Sequence, residues 1–166
     1  MKLEDISVVG GPLVLTTSEE VDAAESQLGA DFPSGYREYV TTLGEGVLGG
    51  CYIRIYPPRR ILDGLNNQRE WRDRIDVYWF WAAGHDVLTK DKALECIIVG
   101  DTFDGDELIF HPSNPDRIYV LPRHFDKVFI AGDSLFAAME WLCSSGTLTE
   151  AFTERIFEPF DSRKEH

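Results

Sequence analysis

Apolar residues recur along this chain with two periods, one near 3.6 residues and one near 2. Thr17 and Glu20 have the spacing of a capping box, and Val21, Ala24 and Leu28 then fall on one helical face. Gly29 is placed to end that helix in the left-handed conformation. After Phe32-Pro33 a second stripe follows, Tyr36, Tyr39, Val40 and Leu43, closed by Gly44. The two stripes predict a helical hairpin with both apolar faces on one core. The glycine-rich run from Gly44 to Gly50 reads as a turn. It lacks the Lys-Ser/Thr ending of a phosphate loop and leads into a strand, where no helix N-terminus would face an anion.

From Cys51 to Tyr56 the period changes to 2. Cys51, Ile53 and Ile55 share one face, Tyr52, Arg54 and Tyr56 the other, and Pro57-Pro58 ends the strand. Ile61 to Ile75 read as a broken helix carrying Leu62, Leu65 and Trp71. The run Tyr78 to Trp81 suits a buried strand or the apolar end of that helix, and periodicity leaves both open. Glu95 to Gly100 predict a buried strand, Asp101 to Asp106 a turn with an Asp-Gly pair, and Glu107 to Phe110 the return strand, ended by His111-Pro112. Ile118 to Leu121 add a strand after Pro115, and Phe125 to Ile130 supply another short one. Strands joined by short turns predict a mainly antiparallel sheet of about five or six strands. Helices return at the end. Asp133 or Ser134 caps a stripe of Leu135, Ala138, Met139 and Leu142 that closes near Gly146, and Leu148, Phe152 and Ile156 suggest a last short helical face. The order is that of an α+β protein, read as one domain over residues 1–166.

Composition narrows the class. With 43% hydrophobic and 12% aromatic residues, the chain is a globule and not an acidic disordered tail. No segment approaches the ~20 apolar residues of a membrane span, and Gly10, Gly11 and Pro12 interrupt the N-terminal apolar stretch, so a cytoplasmic protein is expected. Cys51, Cys96 and Cys143, each inside an apolar run, read as buried reduced thiols.

Charge changes the picture most. Sixteen Lys and Arg against 29 Asp and Glu give a net charge of −13. Such a surface disfavours nucleic acid and anionic membranes and attracts basic proteins, although acidity serves solubility as well.

Candidate chemistry is thin. Asp101, Asp104, Asp106 and Glu107 form the densest acidic cluster, and a structural turn, a partner contact and a cation site are the readings open to it. Thr102 and Gly100 stand where a Ca²⁺ loop would need acids. The four histidines, His85, His111, His124 and His166, have no metal-ligand spacing, and His85-Asp86 are adjacent residues that rarely face each other. No Ser lies in a nucleophile-elbow frame. Arg54, Arg59 and Arg60 around Pro57-Pro58 are read as salt-bridge partners, and Trp71, Trp79, Trp81 and Trp141 as core. The expectation is a protein that is not an enzyme, with no catalytic residue, cofactor or metal.

The order of these elements carries a resemblance. Leu28-Gly29, Phe32-Pro33 and Tyr36, then Gly44 to Gly50 before a strand, then Val99 to Asp106 followed by Pro112, resemble the SUKH superfamily over about residues 17–146. That group includes fungal glucan-synthesis regulators, Syd-like SecY-interacting proteins and bacterial toxin-immunity proteins. The resemblance implies a non-enzymatic binding fold and a protein partner, often a secreted nuclease-type toxin. Partner-contact residues are then expected among Asp101, Asp104, Asp106, Glu107, Glu45, Tyr52 and Tyr56. The alternative is a small-molecule or peptide-sensing domain with a cleft between helices and sheet.

Overall fold

The structure is a computed structural model that describes residues 1–50, 52–62, 68–77, 81 and 87–164. Among the described residues its frame is an eight-stranded sheet. The strands are β1 (Ser7–Val8), β2 (Gly46–Leu48), β3 (Ile53–Ile55), β4 (Ile97–Thr102), β5 (Glu107–His111), β6 (Asn114–Leu121), β7 (Phe129–Gly132) and β8 (Ile156–Pro159). Their order across the sheet is β1-β8-β2-β3-β4-β5-β6-β7. Every pairing is antiparallel except β1 with β8, which is parallel, so the sheet is mixed and larger than the pattern predicts.

The helices are α1 (Ser18–Leu28), α2 (Tyr36–Thr42), α3 (Pro58–Leu62), α4 (Gln68–Asp76), α5 (Lys90–Glu95) and α6 (Leu135–Ser144). The α1 cap forms as expected: the Glu20 N–H donates to Thr17 Oγ1 at 3.1 Å, and Gly29 closes the helix with φ +67°. Ser134 caps α6 through the Ala137 N–H at 3.1 Å. The broken helix of residues 61–75 is α3 followed by α4. All six positions of β4 are buried, because α4 packs on β4, α5 on β5 and α6 on β6 and β7. Tyr36, Tyr39, Trp71, Phe110 and Phe157 are among the largest fully buried side chains. The Tyr36 ring stacks on Phe32 at 4.2 Å, and its hydroxyl donates to the Tyr56 carbonyl at 2.6 Å.

Four expectations are corrected. The run Gly44 to Gly50 is not a turn throughout, because residues 46–48 form β2 between β8 and β3. Gly46 is required there, since the Phe157 ring occupies the place of a Cβ. Leu148, Phe152 and Ile156 do not form a helix. Residues 151–155 have no regular structure and Ile156 opens β8, where the free edge of β2 outcompetes a three-residue stripe. Pro115 lies inside β6, tolerated because β7 pairs only with Ile118 to Val120 and no strand among the described residues flanks it on that side. Glu95 ends α5, whose Thr89 cap accepts the Lys92 N–H at 3.2 Å, and the strand begins at Ile97. Cys51, Leu65, Tyr78 to Phe80, His85 and His166 lie outside the described residues. Among the described residues no helix is long and apolar enough to cross a membrane.

Candidate functional site: the braced hairpin between β4 and β5

The acidic cluster sits on the β4–β5 hairpin. Thr102 and Asp106 close the turn twice: the Thr102 N–H donates to the Asp106 carbonyl at 2.9 Å, and Thr102 Oγ1 donates to Asp106 Oδ2 at 2.7 Å. Asp106 Oδ1 also accepts the Arg123 N–H at 3.0 Å, tying the tip to the chain after β6. Gly105 adopts φ +96°, which glycine reaches without steric cost. The Asp-Gly pair thus sets the turn that its sequence suggests.

The remaining acids brace the same hairpin. Asp101 receives Arg54 Nε at 2.7 Å, a second Arg54 contact through Nη2, and the Tyr56 hydroxyl at 2.8 Å. Glu107 accepts from Arg74 Nη2 at 2.9 Å. In the β4–β5 register Asp101 stands opposite Glu107, and each is held by its own arginine. Among the described residues no group of three or more His, Cys, Asp or Glu could hold a metal ion.

Six of the seven expected contact residues are buried: Asp101, Asp106, Glu107, Glu45, Tyr52 and Tyr56. Only Asp104 is exposed. Beside it stands Phe103, 55% exposed, its N–H fixed by the Tyr52 carbonyl at 2.9 Å and its ring 4.9 Å from the Arg54 guanidinium. Asp101 holds Arg54, and Arg54 holds the ring. Sequence reading passes over Phe103 because an apolar residue inside an acidic turn carries no periodic signal. Tyr52 lies beneath the tip against Phe152, with ring centres 5.7 Å apart. Its hydroxyl is buried without a partner among the described residues, and burial, with Asp106 and Asp104 nearby, raises its pKa above the usual phenol value. Tyr56 is raised by burial and then by Asp101.

Glu45 forms a second buried carboxylate centre. Arg59 donates to Oε1, Arg60 lies 3.6 Å from Oε2, and the Ser162 N–H donates to Oε1 at 3.0 Å. The Phe160 N–H meets the Glu45 carbonyl at 3.1 Å. Arg54, Arg59 and Arg60 are thus paired with carboxylates, and Glu45 anchors the chain after β8. His111 Nδ1 accepts the Ser113 N–H at 3.1 Å in the β5–β6 turn, and Nε2 lies 3.5 Å from Glu95. Cys96 and Cys143 are buried free thiols, pushed up by burial to about 12 and about 11.

The fold and this hairpin define an α+β protein that offers a rigid, acid-braced aromatic tip to solvent. The chain belongs to the SMI1 / KNR4 family (SUKH-1), whose model matches residues 15–141. No curated protein and no solved structure gives a match.

Proposed function

We propose that this protein is a non-enzymatic binding domain, an immunity or regulatory protein that holds a basic protein partner against its acidic surface. The observation that carries the reading is the tip itself: Phe103 and Asp104 stand exposed on a hairpin whose other acids are spent on holding it rigid. An exposed aromatic on a fixed backbone loses little side-chain entropy on binding and is a typical interface anchor. The net charge of −13 selects basic partners and speeds their encounter. Membership of the SMI1 / KNR4 (SUKH-1) family is consistent with a protein partner.

The test is co-expression with the product of the adjacent gene, followed by purification in low and in high salt. A complex retained in low salt and released near ~0.5 M salt supports the reading. Phe103→Ala weakens that complex at least about tenfold, and Asp104→Lys mainly slows association. A basic neighbour that forms no complex in low salt removes the proposal.

A further inference from the structure

The N-terminal strap presents an unusual concentration of exposed apolar side chains. Val8, Val9, Leu13 and Leu15 are 41–52% exposed, and Ile156, beside β1, is 37% exposed. A folded chain rarely leaves so many large apolar groups together in water unless something covers them.

The backbone of this strap is engaged on one side. The Ser7 and Val9 N–H groups donate to Arg155 and Phe157 carbonyls of the β8 segment at 2.8 and 2.9 Å. Farther on, the Glu45 N–H donates to the Val14 carbonyl at 3.0 Å and the Thr16 N–H to the Val40 carbonyl at 3.0 Å. Val14 is half-buried, and Leu13 and Leu15 on either side of it are exposed. Backbone groups of successive strand residues point to opposite sides, so with Ser7 and Val9 bonded to β8 the N–H and C=O of Val8 face away from it. Among the described residues β1 is the last strand of the sheet, and these two Val8 groups form an open edge.

Both ends of the sheet expose apolar side chains, Phe125 and Ile130 at the β7 end among them, and they differ in charge. At the β7 end Lys127 lies over the Phe129 ring at 5.2 Å, a charged side chain of the kind that guards an edge. Around β1 the exposed charged residues are Glu4, Asp5, Glu154 and Glu158, against Lys2. A second copy of a chain with charge −13 would bring these acids against their own kind. Both β1 and β8 also lie outside the residues the family model matches, 15–141, so this edge belongs to the chain's own extensions.

We propose that the open edge of β1 is a docking site for an extended segment of a partner protein, in which apolar residues alternate with Lys or Arg. The segment adds as a strand to Val8, its apolar side chains cover Val9, Leu13, Leu15 and Ile156, and its cations meet Glu4, Asp5 and Glu158. Main-chain pairing supplies the affinity and the alternation supplies the selectivity. The proposal rests on the basic-partner reading above and adds a location and a conformation to it.

The test is titration of the ¹⁵N-labelled full chain, in low salt, with a capped eight-residue peptide of alternating Val and Lys. The expected result is saturable binding with Kd of about 10–100 μM, amide shifts centred on residues 7–15, and slowed hydrogen exchange at the Val8 N–H. Val8→Pro, which deletes that N–H, and Leu15→Arg, an exposed position that repels the peptide, each weaken binding at least about tenfold. The Val/Glu peptide does not bind. Absence of binding, or shifts centred on Phe103 and Asp104 with Val8 silent, overturns the proposal, as does a Val8 amide already protected in a dimer without peptide. Salt-sensitive capture of a basic neighbour that Val8→Pro and Leu15→Arg leave unchanged keeps the basic-partner reading and removes the edge.

Discussion

Asp101 illustrates how a carboxylate can be prominent in the sequence and withheld from the surface. One carboxyl group accepts from the Arg54 fork and from the Tyr56 hydroxyl, and Arg54 in turn supports the Phe103 ring. Asp101→Ala removes the carboxylate from a half-buried guanidinium and from a buried hydroxyl together, at a cost of about 2–4 kcal/mol. The check is the urea midpoint, and a change below about 0.5 kcal/mol would sink this account of the brace. Asp161 makes a different contribution. Arg163 donates to it at 2.8 and 2.9 Å, and that pairing, with Arg59 at 3.8 Å, lowers its carboxyl to about 2. Because the folded pKa lies below the unfolded value of ~3.9, its stabilisation is present above pH 4 and lost as the pH falls through about 2. An NMR titration of the Asp161 side chain checks it: a midpoint near 4 would show that the pairing does not persist in solution.

At the scale of elements, the legible parts of the chain are those in which one face of a continuous segment is buried. Helix α1 could be read from Thr17 to Gly29 because cap, stripe and stop agree, and β4 with β5 because a long apolar run meets an Asp-Gly turn. The elements that escape notice are short and decided from a distance. β1 has two residues and exists only because β8 lies beside it, and β8 exists because β2 offers a free edge. Neither has an internal period to detect, and in residues 148–156 the spacing of four mimics a helix that pairing overrides. Site residues divide the same way. The acids of the hairpin stand out by density, but density cannot show whether a carboxylate faces solvent or an arginine fifty residues away. Phe103 is marked only by its exposure.

For the whole molecule, charge and topology pull in different directions. A net charge of −13 on 166 residues makes the folded state repel itself, and added salt screens that repulsion at a Debye length of ~8 Å near 0.15 M. Thermal unfolding between about 10 mM and 0.3 M NaCl should therefore show Tm rising by a few degrees, whereas a falling Tm would show that the internal ion pairs outweigh the surface. Such a rise opposes the salt response of the partner complex, so the two separate cleanly in one buffer series. Pairing β1 with β8 joins residues 7–8 to residues 156–157. During synthesis β1 leaves the ribosome long before β8, and it must wait for every element between them before its neighbour arrives. The edge proposed for docking therefore comes into being only after translation has passed residue 159. A nascent or truncated chain ending before that point could carry the hairpin tip yet could not offer that edge.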